Sequence, residues 1–369
     1  MMLQTRERFD VDSPFKRPSR PRGRRHRVAV IGAGLSGLIC ARTLADLDCE
    51  VTVFEKSRGV GGRMSTRRSE SDLQFDHGAQ YFTVRDERFR RHVDTWIEEG
   101  LVAPWEGRFV KLNRGYLEES NGETTRFVGV PGMTAVCRHL ATDLDVRFGT
   151  TMAPPRHDGT AWIVEDAAGT SQGRYDWFVT SAPAPQSAYL LASVPHLEVK
   201  ARRVSMSGCW SVMVAFKSPL DAGFDGAFVG VSPLSWIARN SSKPGRGEDF
   251  ETWVLHASPE WSESAIEADH EEVVKELLDA LWQVTGLQPV EPKHAAAHRW
   301  RHALPAEPLG DRFLFDPGLR VGACGDWCNG PRVEGAFLSG LALAGRLVCT
   351  MAAETPHARN CSTFASPGP

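Results

Sequence analysis

Three glycines, Gly32, Gly34 and Gly37, follow a β-branched run at Arg27–Ile31 and open the amphipathic segment LICARTLADLD. This spacing between a strand and a helix carries chemistry. The first glycine permits a tight turn, the second admits a pyrophosphate against the backbone, and the third lets the helix close on the strand. The helix N-terminus then faces the phosphates. Glu55 ends the next apolar run, where a carboxylate accepts both hydroxyls of an adenosine ribose and disfavours a 2′-phosphate. These residues hold a dinucleotide by its inert half.

A second glycine loop, GVGGRM, follows at once and contains Gly61, Gly62 and Arg63. Placed after the ribose acid, it resembles the loop of amine-oxidase-type flavoproteins, which implies FAD rather than NAD. Its arginine is suited to the pyrophosphate, because a planar guanidinium matches paired oxygens. Far along the chain, GACGDW and GPRVEGA supply a third piece. This Gly-Asp resembles the one that bonds the ribityl chain in two-domain flavoenzymes, a task that suits Asp326. The helix starting near Val333 aims its N-terminus at the flavin N1–C2=O edge, stabilising the anionic reduced ring. Glu334 has two readings, a flavin contact or a first-turn acid complementing the helix dipole. No Cys or His sits in an evident flavinylation motif, so FAD is expected to be noncovalent.

These pieces need a scaffold. Residues 27–55 read as a βαβ unit, 176–180 and 319–324 as further buried strands, and the chain closes on a helix from about Val333. Longer, alternating strands at 209–216 and 251–257, with an amphipathic helix over 266–285, point to a separate mixed sheet. The expected architecture is α/β, a discontinuous Rossmann-type FAD-binding domain (27–85, 126–190, 310–352) with an inserted mixed-sheet α+β substrate domain (86–125, 191–309). A basic, disordered arm (1–26) and a polar tail (353–369) flank it.

Composition narrows the function classes. The 369 residues, 41% hydrophobic and 24% charged, suit an ordinary globular protein, and the formal charge of −3 disfavours nucleic acid as a partner. The eight cysteines form no CxxC pair and no metal-ligand cluster, so no metal site is expected. Cys324 and Cys328 read as packing residues. The arm lacks an apolar signal region, and the apolar stretch 336–353 carries Arg346, so it reads as a buried helix rather than a membrane span. The expected location is cytoplasmic.

Taken together, VAVIGAGLSGL, VTVFEKSRGVGGRMSTRR, FDHGAQYFTVRDERF, HRWRHA and GACGDWCNGPRVEGAFLSG resemble the renalase family of FAD oxidases, from about Val28 to about Leu347. The resemblance implies an oxidase that takes a hydride from 2- or 6-dihydro isomers of NAD(P)H and returns NAD(P)+. Electrons pass to O2, giving hydrogen peroxide. A dihydropyridine expels hydride with its own nitrogen lone pair, so positioning matters more than a base.

Three residues are candidates for the substrate face, each with a structural alternative. Tyr81 walls the pocket or packs beneath the flavin. Asn240 holds a carboxamide or forms a turn, and His256 points into the cleft or is a satisfied core histidine. Arg239, Lys243 and Arg246 are cations for a substrate phosphate or a solvated loop, and Arg301, beside Trp300, reaches the flavin or a domain contact. Two other function classes stay open, an FAD amine oxidase or related dehydrogenase and a flavin-binding sensor without turnover.

Overall fold

The computed structural model describes residues 25–69, 73–113, 116–120, 124–247 and 249–354. The basic arm and polar tail fall almost wholly outside the described residues. In chain order, β1 (Arg27–Ile31), α1 (Leu35–Asp46) and β2 (Glu50–Phe54) make the first βαβ unit, followed by α2 (Glu87–Glu98). β3 (Phe109–Asn113) and β4 (Tyr116–Glu119) form a hairpin, and β5 (Asp145–Arg147) and β6 (Trp177–Thr180) return to the first sheet. Then come β7 (Met206–Phe216), β8 (Gly226–Gly230), β9 (Leu234–Arg239), β10 (Glu251–Ala257), α3 (His270–Thr285) and β11 (His294–Pro305). β12 (Leu314–Asp316), β13 (Val321–Ala323), α4 (Asp326–Asn329) and α5 (Val333–Glu354) close the described chain.

The first sheet has the order β12-β13-β6-β1-β2-β5, parallel except for β12. β1 is central, and its side chains feed two cores. Val28 and Val30 join one with α1 and α5, while Ala29 and Ile31 join another with Phe178 and Trp327. A strand covered on both faces needs apolar residues at every buried position, which explains the unbroken VAVI run after Arg27. The second sheet is mixed, ordered β11-β7-β10-β9-β8-β3-β4. Trp210, Val212, Val214 and Phe216 of β7 face Val273, Leu277 and Leu281 of α3. The alternate residues Met213 and Ala215 pack on Leu73 and Phe75 from the other side. That side faces the nucleotide-binding body.

The expected discontinuous α/β architecture is observed, with three adjustments. α2, assigned by sequence to the substrate domain, packs on the nucleotide body: the Phe89 ring lies 4.9 Å and the Trp96 ring 5.9 Å from that of Phe337 in α5. Leu191, Val194, Leu197, Ala201 and Val204 bury in the core with Phe178, so the second body resumes at β7 rather than at residue 191. α3 begins at His270 because the Asp269 side chain caps it, accepting from Glu271 N–H. By length and composition α5 is apolar enough to cross a membrane, yet Phe337, Leu343, Ala344 and Leu347 are fully buried with α1 in the core.

Candidate functional site

The glycine signature folds as its spacing demands. Gly32 N–H donates to Phe54 O, closing the turn after β1. A Cβ on Gly37 would collide with Gly32 O and the Ser181 side chain, so only glycine lets α1 come this close. At Gly34 nothing lies within reach of a Cβ, leaving that backbone open to a ligand. Glu55 is buried, with Oε2 accepting from Ala33 N–H and Oε1 from Ser57 N–H, both at 2.8 Å. Each oxygen keeps a lone pair for a ribose hydroxyl. The second loop docks on the first through Gly61 N–H to Ala33 O, 2.8 Å, and Gly62 lies against Gly34. Ser36 Oγ is buried in the first turn of α1 without a partner among the described residues, and that turn holds no acid to oppose a phosphate. A preset carboxylate, an open glycine backbone and an orphaned hydroxyl at a helix N-terminus fit the nucleotide part of FAD.

Arg63 and Asp326 meet each other. Nη1 and Nη2 donate to the two carboxylate oxygens at 2.7 and 2.6 Å, and Nη1 also reaches Ala303 O of β11 at 2.8 Å. The sequence assigned them separate ligands, pyrophosphate and ribityl chain. In the structure they form one bidentate unit, because the loop after β2 and the N-terminus of α4 both lie at the carboxyl ends of the sheet's parallel strands. Glu334 lies in the first turn of α5, and its buried Oε1 accepts from Arg85 and Asp86 N–H at 2.7 and 2.8 Å, tying α2 to α5. Val333 begins α5, so the helix N-terminus lies where the motif placed it.

The substrate wall is organised by the strap HGAQYF, His77 to Phe82. On one side Ala79 N–H donates to Arg63 O, and a Cβ on Gly78 would collide with that carbonyl. On the other, His77 O accepts from Trp300 Nε1–H at 2.9 Å and lies 3.2 Å from His256 Nε2. A carbonyl only accepts, so His256 carries its proton on Nε2 and its lone pair on Nδ1. Burial, with Lys243 adding, pushes His256 down to about 4, against the bond to His77. Burial likewise pushes His77 down to about 3 and His298 to about 4, so all three imidazoles are neutral at pH 7. Tyr81 is half-buried, its ring 5.4 Å from Trp236 and 6.5 Å from Trp105. Trp236 Nε1, Ser211 Oγ and His77 Nδ1 are buried polar atoms without partners among the described residues.

Asn240 does not face this wall. It is fully enclosed; Nδ2 donates to Gln74 O and Thr252 Oγ1, and Oδ1 accepts from Asp76 N–H, leaving no amide group for a carboxamide. Lys243 and Arg246 do not line a phosphate site either. Both are buried on Asp76, Arg246 through a short charge-assisted bond and Lys243 Nζ at 3.4 Å. Arg239 pairs with Asp225 and Glu251, and Arg301 with Glu267 on the outer side. Asp76 also accepts from Thr66 Oγ1 and Met133 N–H. Burial works to raise its pKa, but Lys243, Arg246 and these bonds outweigh it and hold Asp76 at about 2. Burial pushes Lys243 down to about 8 in spite of Asp76. Lys243 Nζ further donates to Gln80 Oε1, 3.1 Å, so the charge cluster braces the strap. The sequence signal for it was available: an aspartate after the buried Phe75 needs a cationic partner.

Comparison with known proteins agrees with this geometry. Residues 30–96 match the family model for an NAD(P)-binding Rossmann-like domain. Mouse renalase is 22% identical over 313 residues, which span 78% of this chain and 87% of that protein. An L-amino acid dehydrogenase of Synechocystis is 33% identical over 93 residues, 25% of this chain and 20% of that one. Cyclohexylamine oxidase from Brevibacterium oxydans shares the fold with a TM-score of 0.72 at 14% identity, over 89% of this chain and all of that one. Putrescine oxidase gives 0.67 at 14%, over 88% of this chain and 99% of its own. The chain thus resembles renalase over most of its length, on a Rossmann-like dinucleotide-binding scaffold whose glycine loops and buried Glu55 fit FAD.

Proposed function

We propose that the protein oxidises 2- or 6-dihydro isomers of NAD(P)H to NAD(P)+, with O2 as final acceptor and hydrogen peroxide as product. The observation that carries this reading is the likeness to mouse renalase, which runs through both bodies rather than through the nucleotide motif alone. Bound FAD supplies the hydride acceptor and the route to O2. The chain's own part is positional. Tyr81, Trp236 and Trp300 offer flat aromatic walls to a planar ring. Neutral His77 and His256 avoid placing a cation beside the pyridinium product, and no general base is required of them. His256 Nδ1, held as an acceptor by the bond at Nε2, is suited to an amide N–H of the ring substituent. Tyr81 and His256 stay substrate-face residues in this reading, and Asn240 does not.

The test is anaerobic stopped-flow mixing of the yellow holoprotein with 2-, 6- and 4-dihydro-NAD(P). The expected result is rapid bleaching of oxidised flavin by one or both unusual isomers and slow bleaching by the 4-dihydro form. Bleaching by a panel of primary amines, with none by the isomers, would overturn the proposal in favour of amine oxidation. No bleaching by any donor would point to a sensor without turnover.

A further inference from the structure

A concavity of about 380 Å³ opens beside the N-termini of α2 and α5, walled by Arg85, Arg88, Arg312 and Arg332 with Asp86 and Glu334. Its charges do not cancel. Arg88 closes on Asp86 in a two-bond fork at 2.9 and 2.7 Å, and Glu334 faces the backbone amides of Arg85 and Asp86. Among the described residues no ion pair forms at Arg85, Arg312 or Arg332. Helices of 12 and 22 residues both begin here, but Asp86 and Glu87 on α2 and Glu334 on α5 offset their dipoles, so the excess positive charge is that of the arginines.

The three arginines are placed by one element. Arg85 N–H is held by Glu334, in the first turn of α5. Arg312 O accepts from Ser339 Oγ, further along α5, at 2.7 Å. Arg332 immediately precedes α5, and its carbonyl takes Ala336 N–H, the helix's opening bond. Three cations from segments distant in the chain are thus aimed into one concavity by a single helix. The other cations weighed for a phosphate, Arg239, Lys243 and Arg246, are spent on carboxylates.

We propose that this concavity binds a phosphate-bearing ligand, with Arg85, Arg312 and Arg332 as its ligating side chains. Guanidinium forks are the donors that phosphoryl oxygens prefer. The phosphoryl group has two sources, the pyrophosphate of the dinucleotide substrate or a free phosphorylated metabolite. The first rests on the function proposed above; the site itself does not.

The probe is inorganic pyrophosphate, titrated calorimetrically into the holoprotein at low ionic strength, in wild type and in R85Q/R312Q/R332Q. The expected result is one saturable site in wild type, weakened about tenfold or more in the triple variant, each exposed arginine contributing a factor of about two to three. R332Q alone should lose about one such factor. Flavin absorbance and melting temperature report that the variants are folded, and the three side chains are exposed. Absent saturation, or equal affinity in both proteins, would overturn the site. Steady-state kinetics with a dihydronicotinamide dinucleotide then separates the sources. Competitive inhibition by pyrophosphate, with a raised KM in the variant, assigns the site to the substrate. Noncompetitive behaviour with an unchanged KM assigns it to a free phosphate-bearing ligand. If no isomer reduces the flavin, the functional reading fails while the calorimetric result still decides the site.

Discussion

Arg63 and Asp326, 263 residues apart in the chain, grip each other through two parallel bonds of 2.7 and 2.6 Å. The same guanidinium donates to Ala303 O, so one side chain joins the second glycine loop, the edge strand of the mixed sheet and the N-terminus of α4. Asp326→Asn should weaken FAD retention tenfold or more, the equivalent of ~1.5–3 kcal/mol for a charge-assisted pair. Arg63→Lys should resemble it, because a point charge cannot make the fork. Equilibrium flavin binding, followed by fluorescence quenching, checks both, and wild-type affinity in either variant would sink the argument.

The buried cluster makes an asymmetric prediction. Asp76→Asn leaves Lys243 and Arg246 facing each other without an anion and should destabilise the fold by ~3–5 kcal/mol. Lys243→Met keeps the Asp76–Arg246 pair and removes one of the two buried cations, so its cost should be at most about half as large. Urea unfolding of the two variants gives the ranking, and the reverse order would contradict the geometry.

Acid should loosen the protein before its carboxylates titrate. His77 and His256 have folded pKa values depressed to about 3 and about 4 from an ordinary 6.5. The unfolded chain therefore takes up protons first. Their stabilisation is complete above pH 6.5 and is lost as pH falls toward 4, by ~2 kcal/mol for each at pH 5. Asp76, held at about 2 against 3.8, adds a loss only below that range. Melting temperatures at constant ionic strength should fall between pH 6.5 and 4.5; a flat profile there would count against buried neutral imidazoles.

Asn240→Ala separates a structural pin from a substrate ligand. Losing bonds to Gln74 O, Thr252 and Asp76 N–H should cost ~1–3 kcal/mol of stability. Well below the melting temperature, the limiting rate of flavin reduction should be unchanged. A large rise in KM with no loss of stability would return Asn240 to the substrate.

Trichloroacetic acid should release the yellow chromophore to the supernatant, since the described cysteines closest to the nucleotide motifs, Cys40, Cys324 and Cys328, are buried thiols. Colour kept in the pellet would show a covalent link.

What the sequence disclosed was local. The residues of β1, Glu55 and the two glycine loops announce their conformation within a few positions, and the structure places them accordingly. Pairings across the chain were not legible. Arg63 and Asp326 each suited a cofactor alone, and nothing in either neighbourhood says that the sheet brings them together. Lys243 and Arg246 sit in a stretch rich in Gly, Pro and Ser, a composition that reads as a wetted loop; their burial depends on Asp76, which arrives from another body. α2 shows an apolar stripe of Phe89, Val93 and Trp96, but a stripe names no partner, and Phe337 supplies it.

The central place of β1 bears on how this chain is made. β1 pairs with β2 at once, but its other edge waits for β6, where Val28 meets Trp177, and the core between α1 and α5 waits for Leu343 and Leu347. During synthesis the nucleotide unit therefore emerges first and closes last, with the mixed sheet available to fold in between. Such late closure favours slow, chaperone-sensitive maturation. It also makes the C-terminal helix, rather than the N-terminal motif, the element whose arrival commits the protein to holding its cofactor.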